Sequence, residues 1–167
     1  MLVEAQEDRE DSVRVMAIEA LVNYLGDQEK EETQIVMSSL TKALSDKSKD
    51  VRINAALNLA YRELAFQETI PVLLEAFQEP NANHQLRVQI AILLKDFFNA
   101  ENLREKAPMV VSALIEAIKV KHKDQPFLSV MAVQAVANMG TASETAVPVL
   151  IEIAQSFVNN SSFANDE

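Results

Sequence analysis

The chain has 167 residues, 49% of them hydrophobic, and a formal charge of −10. That is enough apolar content for one sizeable core, and the acidity argues against a phosphate-backbone partner. Only two glycines and no cysteine occur. Phosphate loops and dinucleotide folds lean on glycine turns, and disulfide or thiol chemistry needs cysteine, so these classes are disfavoured.

The first acidic residues, Glu4, Glu7, Asp8, Glu10 and Asp11, are the opposite of a signal peptide's basic start. No apolar run approaches the ~20 residues that a membrane span needs. A soluble, cytoplasmic protein is expected, without a membrane or nucleic-acid partner.

Ala, Leu, Glu, Lys and Gln dominate, and all favour helix. Apolar spacing predicts helices over 11–25, 31–45, 49–65, 68–78, 84–99, 104–120, 126–139 and 144–158. Short polar loops such as Ser45-Asp46-Lys47-Ser48 and Pro80-Asn81-Ala82-Asn83 join them. Loops this short make consecutive helices antiparallel.

Two motifs alternate along this series. One helix type opens on Val13-Arg14, Val51-Arg52, Leu86-Arg87 and Phe127-Leu128, each followed by alanines and leucines at helical spacing. The clearest copy runs from Asp50 to Ala60. The other type carries Ile70-Pro71-Val72-Leu73, Ala107-Pro108-Met109-Val110 and Val147-Pro148-Val149-Leu150, with Gln34 in the proline's place in an earlier copy. Proline is tolerated in the first turn of a helix, so each proline is read as marking a helix start. Two motifs sharing one drifting period indicate a repeat architecture.

The Asp-x-x-Val-Arg pattern with its alanines, together with Pro71, Pro108 and Pro148, resembles the HEAT repeat. The resemblance runs to about Val158. The copy at Phe127-Leu128 departs from it, because Val-Arg is missing and Lys121-His122-Lys123 lengthens its loop. It implies an all-α superhelix, a solenoid of about four stacked antiparallel helix pairs over residues 1–158, with 159–167 as a polar, disordered tail. Leu2 to Asp8 aligns with Leu40 to Asp46, so the chain reads as a segment of a longer array whose raw ends would self-associate.

No catalytic constellation emerges. His84 and His122 lie in separate loops without a nucleophile, and no metal-ligand spacing or cofactor motif occurs. Asp27 to Glu32 suits a helix N-terminus, where negative charge is favourable. Arg14, Arg52 and Arg87 recur at one structural position and are expected to form a structural ladder to acids or carbonyls of neighbouring repeats. Phe66, Phe77, Phe97, Phe98, Met37 and Met109 fit core packing.

Offsets of three, seven and ten residues from each Val-Arg valine share one helix face. They collect Met16, Ala20 and Asn23; Asn54, Asn58 and Tyr61; Gln89, Leu93 and Asp96; Val130, Gln134 and Ala137. Asparagine is a poor choice inside a helix. Asn23, Asn54, Asn58, Tyr61, Arg62, Gln89 and Asp96 are therefore the candidate partner-binding residues, on what would be the concave face. The functional expectation is a non-catalytic scaffold for a protein or peptide, with no enzyme activity, cofactor or metal. The alternatives are an accessory or chaperone-like subunit of an enzyme, as HEAT-type bilin lyase components are, and a structural segment of a larger repeat protein.

Overall fold

The computed structural model describes residues 4–24, 30–62, 64–97, 106–121, 126–152 and 155. Within these, all regular structure is helical: α1 (Asp11–Tyr24), α2 (Lys30–Ala43), α3 (Lys49–Tyr61), α4 (Phe66–Gln78), α5 (His84–Phe97), α6 (Ala107–Lys121) and α7 (Pro126–Asn138). Short 3-10 segments cover Glu4–Glu7 and Gly140–Ala146, and residues 147–152 are again helical. The expected tail at 159–167, together with Phe98 and His122, lies outside the described residues.

The chain groups into two compact units, Met1–Glu79 and Pro80–Glu167. In the first, α1 lies beside α3, and α3 packs also on α2 and α4. The central place of α3 explains its composition. It buries Val51, Ala55, Ala56, Leu59 and Ala60, a spread too wide for a helix covered on one side only. The three alanines let its neighbours approach closely. Facing them are Ala17, Ile18, Leu21 and Val22 of α1, Val36 and Leu40 of α2, and Ile70, Leu73, Leu74 and Phe77 of α4.

The direction of α1 relative to α3 follows from contacts at both ends. Ser48 Oγ, at the N-terminal cap of α3, donates to Asp11 Oδ2 at the start of α1 (3.3 Å). Arg62 Nη2, just past the end of α3, donates to the carbonyl of Val22 near the end of α1 (2.8 Å). The two Val-Arg helices are therefore parallel neighbours, as a helix pair repeated in register requires.

In the second unit α7 packs against both α5 and α6, and the 3-10 segment packs against α6 and α7. The core is Ile90, Ala91, Leu93 and Leu94 with Val110, Val111, Leu114 and Ile118, closed by Leu128, Ala132, Ala135, Val136 and Met139. Pro126 opens α7 at its first position, where a missing N–H costs nothing. Gly140 follows its end with a φ of 55°, the left-handed conformation that commonly terminates a helix and that glycine adopts without steric cost.

The proline rule holds at Pro108, the second residue of α6, and fails at Pro71. α4 begins at Phe66 rather than 68, which places Pro71 inside the helix. α3 correspondingly stops at Tyr61 rather than 65. The cause is the turn between them. Ala65 takes the left-handed conformation (φ 48°, ψ 42°) as the N-cap of α4, and its carbonyl accepts from the N–H groups of Glu68 and Thr69 (3.1 and 3.0 Å). A turn closed on a left-handed alanine carries no glycine signal, so it was not legible in the sequence.

Left-handed backbone costs an L-residue about 1–2 kcal/mol, and glycine loses about 0.5–1 kcal/mol through its looser unfolded chain. Ala65→Gly is therefore expected to raise stability by about 0.5–1 kcal/mol. Urea denaturation checks it through a higher midpoint at unchanged slope.

Candidate functional site

The recurring arginines position the helices that carry the candidate residues. Arg14 is 3% exposed. Its Nε and Nη2 donate to Oδ2 and Oδ1 of Asp46, both at 2.9 Å. Its Nη1 donates to the carbonyls of Asp8 and Arg9 (2.9 and 3.1 Å). A planar fork of five donors satisfies two such targets at once, which lysine cannot do. One side chain thus ties the turn leading into α1 to the turn leading into α3.

Arg52 repeats half of this arrangement. Its Nη1 donates to the carbonyls of Asp46 and Lys47 (3.0 and 3.4 Å), the same register relative to its own helix as Arg14 to Asp8 and Arg9. Its other arm reaches Glu75 of α4 at 3.1 Å, an exposed carboxylate. The preceding turns match as well. Asp8 Oδ1 accepts from the Glu10 N–H (2.9 Å) and Asp46 Oδ1 from the Ser48 N–H (2.7 Å). In the third copy Asn83 caps α5 directly, accepting from the Gln85 N–H (2.8 Å), and buried Arg87 donates to the Pro80 carbonyl (3.3 Å).

Burial pushes the Asp46 carboxyl up. The hydrogen bonds from Arg14 and the Ser48 N–H outweigh it, with the positive charges of Arg14 and Lys47 adding to them, so the group sits below the usual aspartate value of 3.8. Arg14 is raised in turn, first by its hydrogen bond to Asp46 and against its own desolvation.

A second repeated clasp lies at the other helix ends and was not foreseen. Arg62, eleven residues after Val51, binds the carbonyl of Val22, nine residues after Val13. Asn138, eleven residues after Phe127, donates its Nδ2 to the carbonyl of Lys95, nine residues after Leu86 (2.8 Å). Each helix end leaves carbonyls without an intrahelical partner, and the next helix of the same type satisfies one of them. Arginine and asparagine share no sequence signature here, so only the shared register reveals the device. For Arg62, a candidate partner-binding residue, this is an architectural contact.

The predicted outward row divides by unit. In the first unit, Met16 (59% exposed) and Tyr61 (48%) are the large apolar residues at its edges, and Asn23 is exposed. Between them Asn58 Nδ2 donates to the carbonyl and Oδ1 of Asn54 (2.9 and 3.0 Å). Asn54 Nδ2 donates to Glu19 Oε1 on α1 (3.2 Å). Asn54 thus bridges α1 and α3 and Asn58 braces it from within α3, both side chains being half-buried. Glu19 belongs to this row although the chosen offsets passed over it. It stands three residues after Met16, which is the same helix face.

In the second unit Gln89 is half-buried and Asp96 exposed, with Asp96 paired to Lys95 (2.9 Å). Leu93, placed outward by its offset, is 2% exposed. It belongs to the core because α5 is covered more widely than one face. Val130, Gln134 and Ala137 of α7 are exposed.

A cavity of about 240 Å³ in the first unit is lined by Gln6, Glu7, Arg14, Ser39, Lys42 and Asp46 among others. Its charged groups pair with one another: Arg14 with Asp46 and Lys42 with Glu7. Among the described residues no group of three or more His, Asp or Glu side chains could hold a metal ion, and no helix is long and apolar enough to cross a membrane. His84 starts α5 and is exposed.

Compared with protein-family models and with curated proteins, the chain matches none.

Arg14→Ala is expected to lower the melting temperature more than Arg52→Ala. The first strands the carboxylate of Asp46, whose side chain is 15% exposed, whereas the second loses an arm to a carboxylate that is 58% exposed. The lowered Asp46 value gives a second test. A depressed carboxyl contributes stability that is fully present above its unfolded value and is lost as pH falls through the folded one. The gap in melting temperature between the native chain and Asp46→Asn should be constant near neutral pH and shrink below about pH 3.8. A series of thermal melts from pH 7 to pH 2 measures it.

Proposed function

We propose that the chain is a HEAT-type α-solenoid serving as a non-catalytic interaction scaffold, and that it holds a protein or peptide on the outward face of its Val-Arg helices. Support for the solenoid is the repetition of tertiary contacts, not only of sequence. Arg14 and Arg52 bind their own leading turns in the same register, and the clasp between helix ends recurs in both units.

The observation that carries the binding reading is the row on α1 and α3. Met16 and Tyr61 stand exposed beside Asn54 and Asn58, whose amides are already hydrogen-bonded in place. An apolar contact that excludes water, next to polar groups that fix register, is the anatomy of a recognition surface. Ordering the amides before binding lowers the entropic cost of association.

Tyr61→Ala combined with Asn58→Ala is expected to abolish capture of partners that the native chain retains, with little change in melting temperature. Arg52→Ala is expected to do the reverse. Quantitative pull-downs of the three proteins, each matched to a thermal melt, separate these outcomes. Equal capture by all three would discard the surface.

A further inference from the structure

We infer that the occupant of the α1–α3 row is cationic: an extended segment carrying lysine or arginine side chains. The inference rests on the scaffold reading above and adds the chemistry of the partner.

The hydrogen bonds of the row have a direction. Asn58 spends both of its amide hydrogens on Asn54, and Asn54 donates to Glu19. Every donation runs along the row towards the carboxylate. Left unspent are one amide hydrogen of Asn54 and, as acceptors, the second carboxylate oxygen of Glu19 and Oδ1 of Asn58, so acceptors predominate and one of them is charged. An ammonium or guanidinium is a donor without an acceptor, so it complements these atoms, whereas a carboxylate or phosphate would meet them oxygen to oxygen.

The row's own cation does not fill this role. Arg62 is held at 2.8 Å on the Val22 carbonyl, one helical turn beyond Glu19, and its hydrogen bond goes to that carbonyl and not to the carboxylate. Tyr61, 48% exposed, offers a ring face on which a second cation can rest, and Met16 receives the aliphatic stem of a lysine.

The long-range field agrees. Residues 1–79 carry sixteen Asp and Glu against eight Lys and Arg, a formal −8 of the chain's −10. Residues 80–167 carry only the remaining −2. A cationic partner is thus steered to the first unit, where the acceptor-rich row lies.

The experiment uses the full chain and three fluorescein-labelled pools of ten-residue peptides. They are identical except that alternate positions hold lysine, norleucine or glutamate. Fluorescence anisotropy at low and moderate salt is expected to detect binding of the lysine pool alone, weakened by added salt. Glu19→Gln should weaken it about fivefold, the value of one surface charge contact, and Tyr61→Ala should weaken it similarly. Glu68→Gln removes the same charge from α4 and should leave affinity within twofold.

Equal losses from Glu19→Gln and Glu68→Gln would reduce the attraction to bulk charge and overturn the inference. Norleucine peptides bound as tightly as lysine peptides, and released by Tyr61→Ala, would overturn the cationic partner while leaving the scaffold standing. Binding of none of the pools would count against both. Circular dichroism melts of each variant exclude unfolding as the cause, and Tyr61→Ala keeps the test decisive should Glu19→Gln destabilise the fold.

Discussion

One buried guanidinium holds the first unit in register. Arg14 joins the carbonyls before its own helix to the carboxylate before the next Val-Arg helix. A buried charge is costly unless it is paired and its donors are satisfied. Here three of its nitrogens have partners, so the arrangement tolerates little displacement between α1 and α3. Asp46 is the hinge of this arrangement. Its carboxylate accepts from Arg14 and from the Ser48 N–H, while its carbonyl accepts from Arg52. The chain of contacts therefore passes from one helix to the next through the five-residue loop 44–48.

The clasp at the opposite ends completes the constraint. Arg62 on Val22 and Asn138 on Lys95 satisfy carbonyls that a helix end would leave to water. With both ends of α1 tied to α3, the faces between those ends are fixed in position. That is why two asparagines, poor helix formers, can sit at mid-helix as ordered rungs. Their propensity cost is offset by bonds to each other and to Glu19. A row supported this way is ordered by its own hydrogen bonds.

The polarity of the row follows from the same contacts. Amides are neutral in donor and acceptor count, so an amide strip alone has no preference for charge. The carboxylate of Glu19 breaks that symmetry by accepting an amide hydrogen of Asn54. On the proposed reading, the oxygens left at the surface set the kind of side chain that fits. Among the described residues of the second unit no equivalent row is seen: Leu93 turns into the core and Asp96 is paired with Lys95.

Much of this was legible in the sequence. Apolar periodicity placed seven α-helices to within a few residues, and the spacing marked Arg14, Arg52 and Arg87 as one recurring position; a contact to the next repeat is seen at Arg14 with Asp46, while Arg52 and Arg87 bind carbonyls of their own leading turns. Both depend on local rules, the helical period and the donor geometry of arginine, which a sequence carries directly. What only the tertiary structure decided is which atoms meet. The left-handed turn at Ala65 displaced Pro71 into α4 because an alanine can be held there by its surroundings. Leu93 became core because neighbours covered a face that its spacing marked as outward. Arg62 acquired a carbonyl from a helix forty residues earlier, and Glu19 joined the asparagines across a helix boundary. Repetition announces that contacts recur, but a hydrogen bond has a direction and a partner, and those exist only once two helices lie side by side.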